Sequence, residues 1–203
     1  MTTKKENVPA IRFKEFTDAW KRWILSDITQ PYTILNGQNL KLESFSLSKI
    51  YGFINQKRIY SDGSNPIIGD KRNSQIVESN SFAMDPSAIH KGAVGLYELD
   101  EKVLVSPMYL VFKTKGLINN HFLLNWFKSY YFSKITQICL VLSARVVVDL
   151  DRVMEYKVSI PEYKEQSNIA KLFLVINAYL SLLQRKLDKL KNIKETLLEK
   201  MFV

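Results

Sequence analysis

IAKLFLVINAYLSLLQRKLDKLKNIKETLLEKM, the stretch from Ile169 to Met201, decides how this chain is built. One column of it reads Ile169, Ile176, Leu183, Leu190, Leu197, and a second reads Phe173, Leu180, Leu187, Lys194, Met201. The columns alternate by three and four residues, the spacing of the core positions of a coiled coil, and all members but Lys194 are apolar. The pattern predicts a helix from about Pro161 to Met201, roughly 60 Å long at about 1.5 Å per residue. About 8–20 residues suffice for a helix that only covers a small core. The excess predicts a strut that pairs with another helix. Lys194, the one break, has two readings: a register device that keeps its charge in water, or a harmless substitution near a frayed end.

Outward from the strut, the 203-residue chain has room for one ordinary domain. The expected division is a domain over 9–160 and a pairing helix over 161–203. The 46% apolar and 24% charged content is that of a globular protein. Net charge is +9, of which the part from Glu162 onward carries +3, so the remaining +6 lies on the preceding domain. A basic domain fits a polyanionic partner such as nucleic acid, or reflects solubility alone. Cys139, the sole cysteine, sits in an apolar run and reads as a small buried hydrophobe. The N-terminal residues lack the apolar core of a signal peptide. The longest apolar stretch, Ile138–Leu150, is interrupted by Arg145 and too short to span a bilayer, so a cytoplasmic protein without membrane contact is the default.

Between Tyr32 and Lys115 the chain shows short strand-like runs broken by turn residues. Ser44–Leu47 and Tyr51–Ile54 read as strands, Ser61–Pro66 as a turn, and Val103–Val105 and Tyr109–Phe112 as strands around Ser106-Pro107. Asn119–Phe132 reads as one helix with Phe122, Leu123, Trp126, Phe127 and Tyr130 on a broad face. Ile138–Leu142, Arg145–Val148 and Val158–Ile160 read as further strands. The expected class is therefore α+β, a mixed α/β domain followed by a long C-terminal coiled-coil helix.

Much chemistry is missing. His90 and His121 have no partner at metal-ligand spacing, and no glycine-rich phosphate loop is present. Asp149 and Asp151 read as a solvated strand end. Asp85-Pro86-Ser87-Ala88 lacks the second proline and the aromatic of an amino-methyltransferase motif. No catalysis, metal or cofactor is expected in this chain. What remains is a binding protein. Lys49, Tyr51, Asn55, Gln56, Lys57 and Arg58 form one cluster of basic and hydrogen-bonding side chains, and Lys71, Arg72 and Asn73 form another. Lys and Arg suit phosphates, while Asn, Gln and Arg can pair with base edges. The alternative is a pair of solvated turns.

Several segments, in order, carry a resemblance. Pro9-Ala10-Ile11-Arg12-Phe13-Lys14-Glu15-Phe16-Thr17-Asp18-Ala19-Trp20 is followed by Phe45-Ser46-Leu47-Ser48-Lys49-Ile50-Tyr51-Gly52-Phe53-Ile54-Asn55-Gln56. Then come the Phe82–Gly95 stretch with Asp85-Pro86 and Gly92, and Val105-Ser106-Pro107-Met108-Tyr109-Leu110-Val111-Phe112. Ile160-Pro161-Glu162-Tyr163-Lys164-Glu165-Gln166-Ser167-Asn168-Ile169-Ala170 opens the long helix, and Leu197–Phe202 closes it. In this the chain resembles one half of the specificity subunit of a type I restriction–modification system. It departs from the family where Asp85 replaces Asn and Ala88 replaces Arg, which puts base contacts from that loop in doubt.

The resemblance implies a target recognition domain that binds double-stranded DNA and reads half of a split target. It places adenine methylation on a modification subunit using S-adenosylmethionine, and cleavage on a restriction subunit using ATP. It adds His90, Lys91 and Arg145 to Lys49, Tyr51, Asn55, Gln56, Lys57, Arg58, Lys71 and Arg72 as expected DNA contacts. A full subunit resembles two such units with antiparallel helices between them. The single seam of Ile169, Phe173, Ile176, Leu180, Leu183, Leu187, Leu190, Leu197 and Met201 is thus expected to dimerise with a second copy and to read a spaced palindrome. A strut of roughly 60 Å spans on the order of 18 base pairs at 3.4 Å per step. Two other readings stay open: a scaffold that docks modification subunits without reading DNA, and a coiled-coil DNA-binding regulator unconnected with methylation.

Overall fold

Strand β6 (Ser81–Met84) is buried along its whole length, and the two faces it presents organise the domain. Phe82 and Met84 face one core, with Phe112, Val94, Phe122, Leu123, Phe127 and Phe132. Ala83 faces a second, with Val77, Tyr97, Val103, Val105 and Val111. A strand covered on both sides carries a continuous apolar run in place of alternation. The computed structural model describes residues 8–59, 70–142 and 146–202. The Ser61–Pro66 turn lies outside these residues.

In chain order the other strands are β1 (Lys21–Ile24), β2 (Thr29–Pro31), β3 (Phe45–Ser48), β4 (Gly52–Asn55), β5 (Gln75–Val77), β7 (Val94–Tyr97), β8 (Val103–Val105), β9 (Leu110–Thr114), β10 (Leu140–Leu142), β11 (Val146–Val148) and β12 (Lys157–Ile160). The helices are α1 (Leu25–Ile28), α2 (Gln56–Ile59), α3 (Asn120–Phe127), α4 (Tyr130–Ile138), α5 (Leu150–Met154) and α6 (Tyr163–Met201). The central sheet is antiparallel in the order β2-β9-β6-β7. Phe82 and Phe112 are cross-strand partners, with ring centroids 5.1 Å apart. Helices α3 and α4 cover the first core. The β3–β4 hairpin and the β5–β8 pair cover the second, through Phe45, Leu47 and Phe53. This is the α+β class with a long terminal helix that the sequence predicts.

The Asn119–Phe132 segment is two helices, not one. Ser129 ends the first and caps the second, its hydroxyl accepting from the Phe132 N–H at 3.2 Å. The second helix then runs to Ile138, into residues that read as the start of a strand, and β10 begins only at Leu140. Asp149 caps α5 by accepting from the Arg152 N–H at 3.0 Å, which accounts for a carboxylate that reads as a bare strand end. Cys139 is fully buried, and burial raises its thiol pKa.

The long helix is rooted by three devices. β1 pairs with β12, bringing Lys21 beside Ile160 and so tying the chain's early segment to the helix start. Glu165, fully buried, accepts from Arg12 Nε and Nη2, both at 2.7 Å, and from Trp20 Nε1 at 3.4 Å. Gln166, also buried, accepts from the Asn119 N–H at 2.7 Å and donates to the Pro161 carbonyl at 3.0 Å. Ala170 completes the packing against the first core. Pro161 lies just ahead of the first turn, since Glu162 occupies the cap position. From Lys171 to Met201 every residue is exposed. This is an arm of about 46 Å at about 1.5 Å per residue. No helix among the described residues is long and apolar enough to cross a membrane.

Two stability predictions follow from these contacts. A methyl group on Gly95 would lie 2.8 Å from Phe53 Cδ2 and 3.0 Å from the Phe53 backbone nitrogen. Gly95→Ala should therefore displace the β3–β4 hairpin and cost about 1–3 kcal/mol in urea unfolding. Glu165→Ala leaves the Arg12 charge without its partner and should cost about 3 kcal/mol or more in the same measurement.

Candidate nucleic-acid interface

The β3–β4 hairpin turns over Lys49, Ile50 and Tyr51. The Ser48 hydroxyl holds the turn, accepting from the Ile50 and Tyr51 N–H groups at 3.2 Å each. Ile50 and Tyr51 are 75% and 72% exposed. Beside the tip runs a 3₁₀ turn, Ile89–Lys91, closed by Gly92 at φ +93°. A Cβ at Gly92 would lie 3.2 Å from Lys49 Cγ, so the lysine stem lies against this backbone. Exposed Lys91 and half-buried His90 therefore flank Lys49. The structure brings Lys49, Tyr51, His90 and Lys91 together from two segments far apart in sequence.

The base of this region is held by Tyr109 and Asp85. Burial first, and the Asp85 charge second, push the Tyr109 phenol up to about 12, so it stays a neutral strut beneath the hairpin. The Asp85 carboxylate accepts from the Ser87 N–H at 2.9 Å and the Ser87 hydroxyl at 2.7 Å. The Asp85-Pro86-Ser87-Ala88 segment thus shapes the turn that leads to His90.

Asn55, Gln56, Lys57, Arg58, Lys71 and Arg72 lie toward the far end of the hairpin, about 13 Å away along strands of about 3.3 Å per residue. Here a groove of about 380 Å³ is lined by Asn39, Lys41, Glu43, Gln56, Lys57 and Lys71, among others. Glu43 occupies the middle of the charge pattern. It pairs with Lys57 at 2.6 Å and accepts from Asn55 Nδ2 at 2.9 Å. The hydrogen bond from Lys57, then that from Asn55, holds its carboxyl below the usual value. Arg72 is spent on Asp70, at 2.5–2.9 Å through Nε and Nη2, and its hydrogen bond holds the Asp70 carboxyl low. Gln56 is buried and its Nε2 donates to Ser46 Oγ at 3.0 Å, so its amide braces the hairpin and is turned away from solvent. Arg58 is exposed on α2. Arg145 lies outside the described residues.

Sequence reasoning passed over Ile50 and Lys41. An apolar residue between two strands carries no chemical signal until its exposure is known. His121, which has no partner at metal-ligand spacing, is half-buried on α3 with Nε2 3.0 Å from Glu98. Among the described residues no group of three or more His, Cys, Asp or Glu side chains could hold a metal ion.

For salt-dependent DNA binding, Lys49→Ala and Lys91→Ala should each reduce the slope of log affinity against log salt by about 1. Arg72→Ala, whose charge Asp70 already offsets, should change the slope less. Titration of duplex binding at several salt concentrations measures this.

Comparison with known proteins bears on this geometry. A family model described as "Type I restriction modification DNA specificity domain" matches residues 18–192. The crystal structure of the HsdS subunit from Thermoanaerobacter tengcongensis aligns with a TM-score of 0.63 at 12% sequence identity, covering 89% of this chain and 48% of that one. A second solved chain, described under "structural basis underlying complex assembly and conformational transition of the type I R-M system", aligns with a TM-score of 0.61 at 12% identity, covering 92% and 46%. At such identity the likeness is one of fold. The chain spans about half the length of each structure. No curated protein matches.

Proposed function

Given that this chain belongs to the type I restriction–modification DNA specificity family, we propose that it is a non-catalytic reader of double-stranded DNA that dimerises through α6. Each domain reads one half-site, with the hairpin tip at Lys49–Tyr51 and the adjoining His90-Lys91 turn meeting the duplex. Methylation belongs to a docked modification subunit using S-adenosylmethionine, and cleavage to a restriction subunit using ATP that joins through the same complex. The observation that carries the reading is the contrast along α6. Its root is buried in the domain, while its heptad seam from Phe173 to Met201 is bare. An apolar seam of this length is costly to leave in water and is matched by another helix. A two-fold pair of identical readers fits a spaced palindromic target. The stagger between half-sites follows from a helix of 39 residues, about 58 Å at about 1.5 Å per residue.

The expected result, when this chain is expressed with its modification subunit and methylated adenines are mapped across the DNA, is a two-part palindrome with a fixed gap. An asymmetric methylated sequence excludes the self-paired reader. A loss of all sequence preference excludes reading by this domain.

A further inference from the structure

Beside the root of α6 lies an apolar cleft of about 530 Å³ that the DNA-reading face does not use. Its walls are Ile11, Phe13 and Trp20 of the N-terminal segment and Ile169, Leu172 and Phe173 of the helix. Ile11 is 93% exposed, an unusual state for an isoleucine held over other apolar groups. The cleft is continuous with the seam, because Ile169 and Phe173 are the first members of its two columns. The segment that forms the outer wall is pinned by the Arg12–Glu165 pair.

We infer that this cleft receives the Met201–Phe202 end of α6 from a second copy of the chain. The inference rests on the dimer proposed above and specifies its register. In an antiparallel pair the two columns are complementary across their full length. Ile169 faces Met201, Phe173 faces Leu197, Ile176 faces Lys194, Leu180 faces Leu190, and Leu183 faces Leu187. A slide of one heptad leaves either Leu197 and Met201 or Ile169 and Phe173 of both copies outside the seam. The full register places Met201, 70% exposed, and Phe202, 75% exposed, at the mouth of the partner's cleft. Lys194 lies over Ile176, where its stem covers apolar surface and its charge reaches water. On the flank, Tyr179 faces Ile193. The cleft so filled makes each domain's N-terminal segment a clamp on the other copy's helix. The pair is then held at its two ends as well as along the seam.

The test uses the full chain. A variant carrying both Ile169→Cys and Met201→Cys is oxidised mildly and separated without reductant, while buried Cys139 stays unreactive. The expected product is a covalent dimer from the double variant and none from either single variant, in which like residues lie about 48 Å apart at about 1.5 Å per residue. A dimer by ultracentrifugation that yields no such link overturns the inference and leaves the dimer standing. A monomeric wild-type chain overturns both. In parallel, Ile11→Glu changes a side chain that packs on nothing in the isolated chain. It should weaken self-association by about tenfold or more, the effect of uncovering one large apolar contact. Unchanged self-association overturns the inference. So does a variant that loses only its affinity for the modification subunit, which assigns the cleft to that partner.

Discussion

The bidentate pair between Arg12 and Glu165 fixes the direction in which the molecule extends. Glu165 is fully buried and Arg12 nearly so, with Trp20 donating to the same carboxylate. Removing either charge would strand the other in a low-dielectric site, so the arrangement is strongly held once formed. The pair joins the N-terminal segment to the first turn of α6, and Gln166 joins the next residue of the helix to the loop before α3. A helix anchored on two successive side chains by partners from different elements cannot swivel at its base. The arm beyond Ala170 thus leaves the domain on a set line.

That rigidity gives the seam its meaning. A coiled-coil strut on a loose joint would pair without controlling the distance between readers. On a fixed joint, and with the pairing proposed above, its length would set the separation between half-sites. The N-terminal segment that secures the joint also builds the outer wall of the apolar cleft, so one ion pair supports both the strut's direction and the surface at its foot.

The proposed DNA-facing surface follows a different logic, in which the sheet supplies stiffness and charge pairing selects the cations. The 29 Lys and Arg side chains overstate the cations available to a polyanion. Arg12, Lys57, Arg72, Lys102 and Lys113 are all engaged with carboxylates. Lys49 and Lys91 have no ion pair among the described residues and lie at an exposed tip. The hairpin that carries Lys49 reaches this position because Gly95 lets it lie against β7. A side chain there would lift the tip from its seat.

By itself, the sequence determined the strut, its seam, the α+β class and the order of the family's segments. Periodicity is a local property, and a repeat every seven residues is legible without knowing where the chain goes. It also marked the Ile160–Ala170 segment, but as a pattern without a cause. Only the tertiary structure decided that its Glu165 and Gln166 are anchors, because the partner of Glu165 lies 153 residues away. The same holds for Gln56, a base reader by type that is turned inward to Ser46, and for Arg72, neutralised by Asp70. Likewise Ser129 divides a helix that hydrophobic spacing alone would make continuous. Residue type states what a side chain can bond to. Burial and the nearest competing partner decide what it does bond to, and those are set by contacts between segments that the chain does not place side by side.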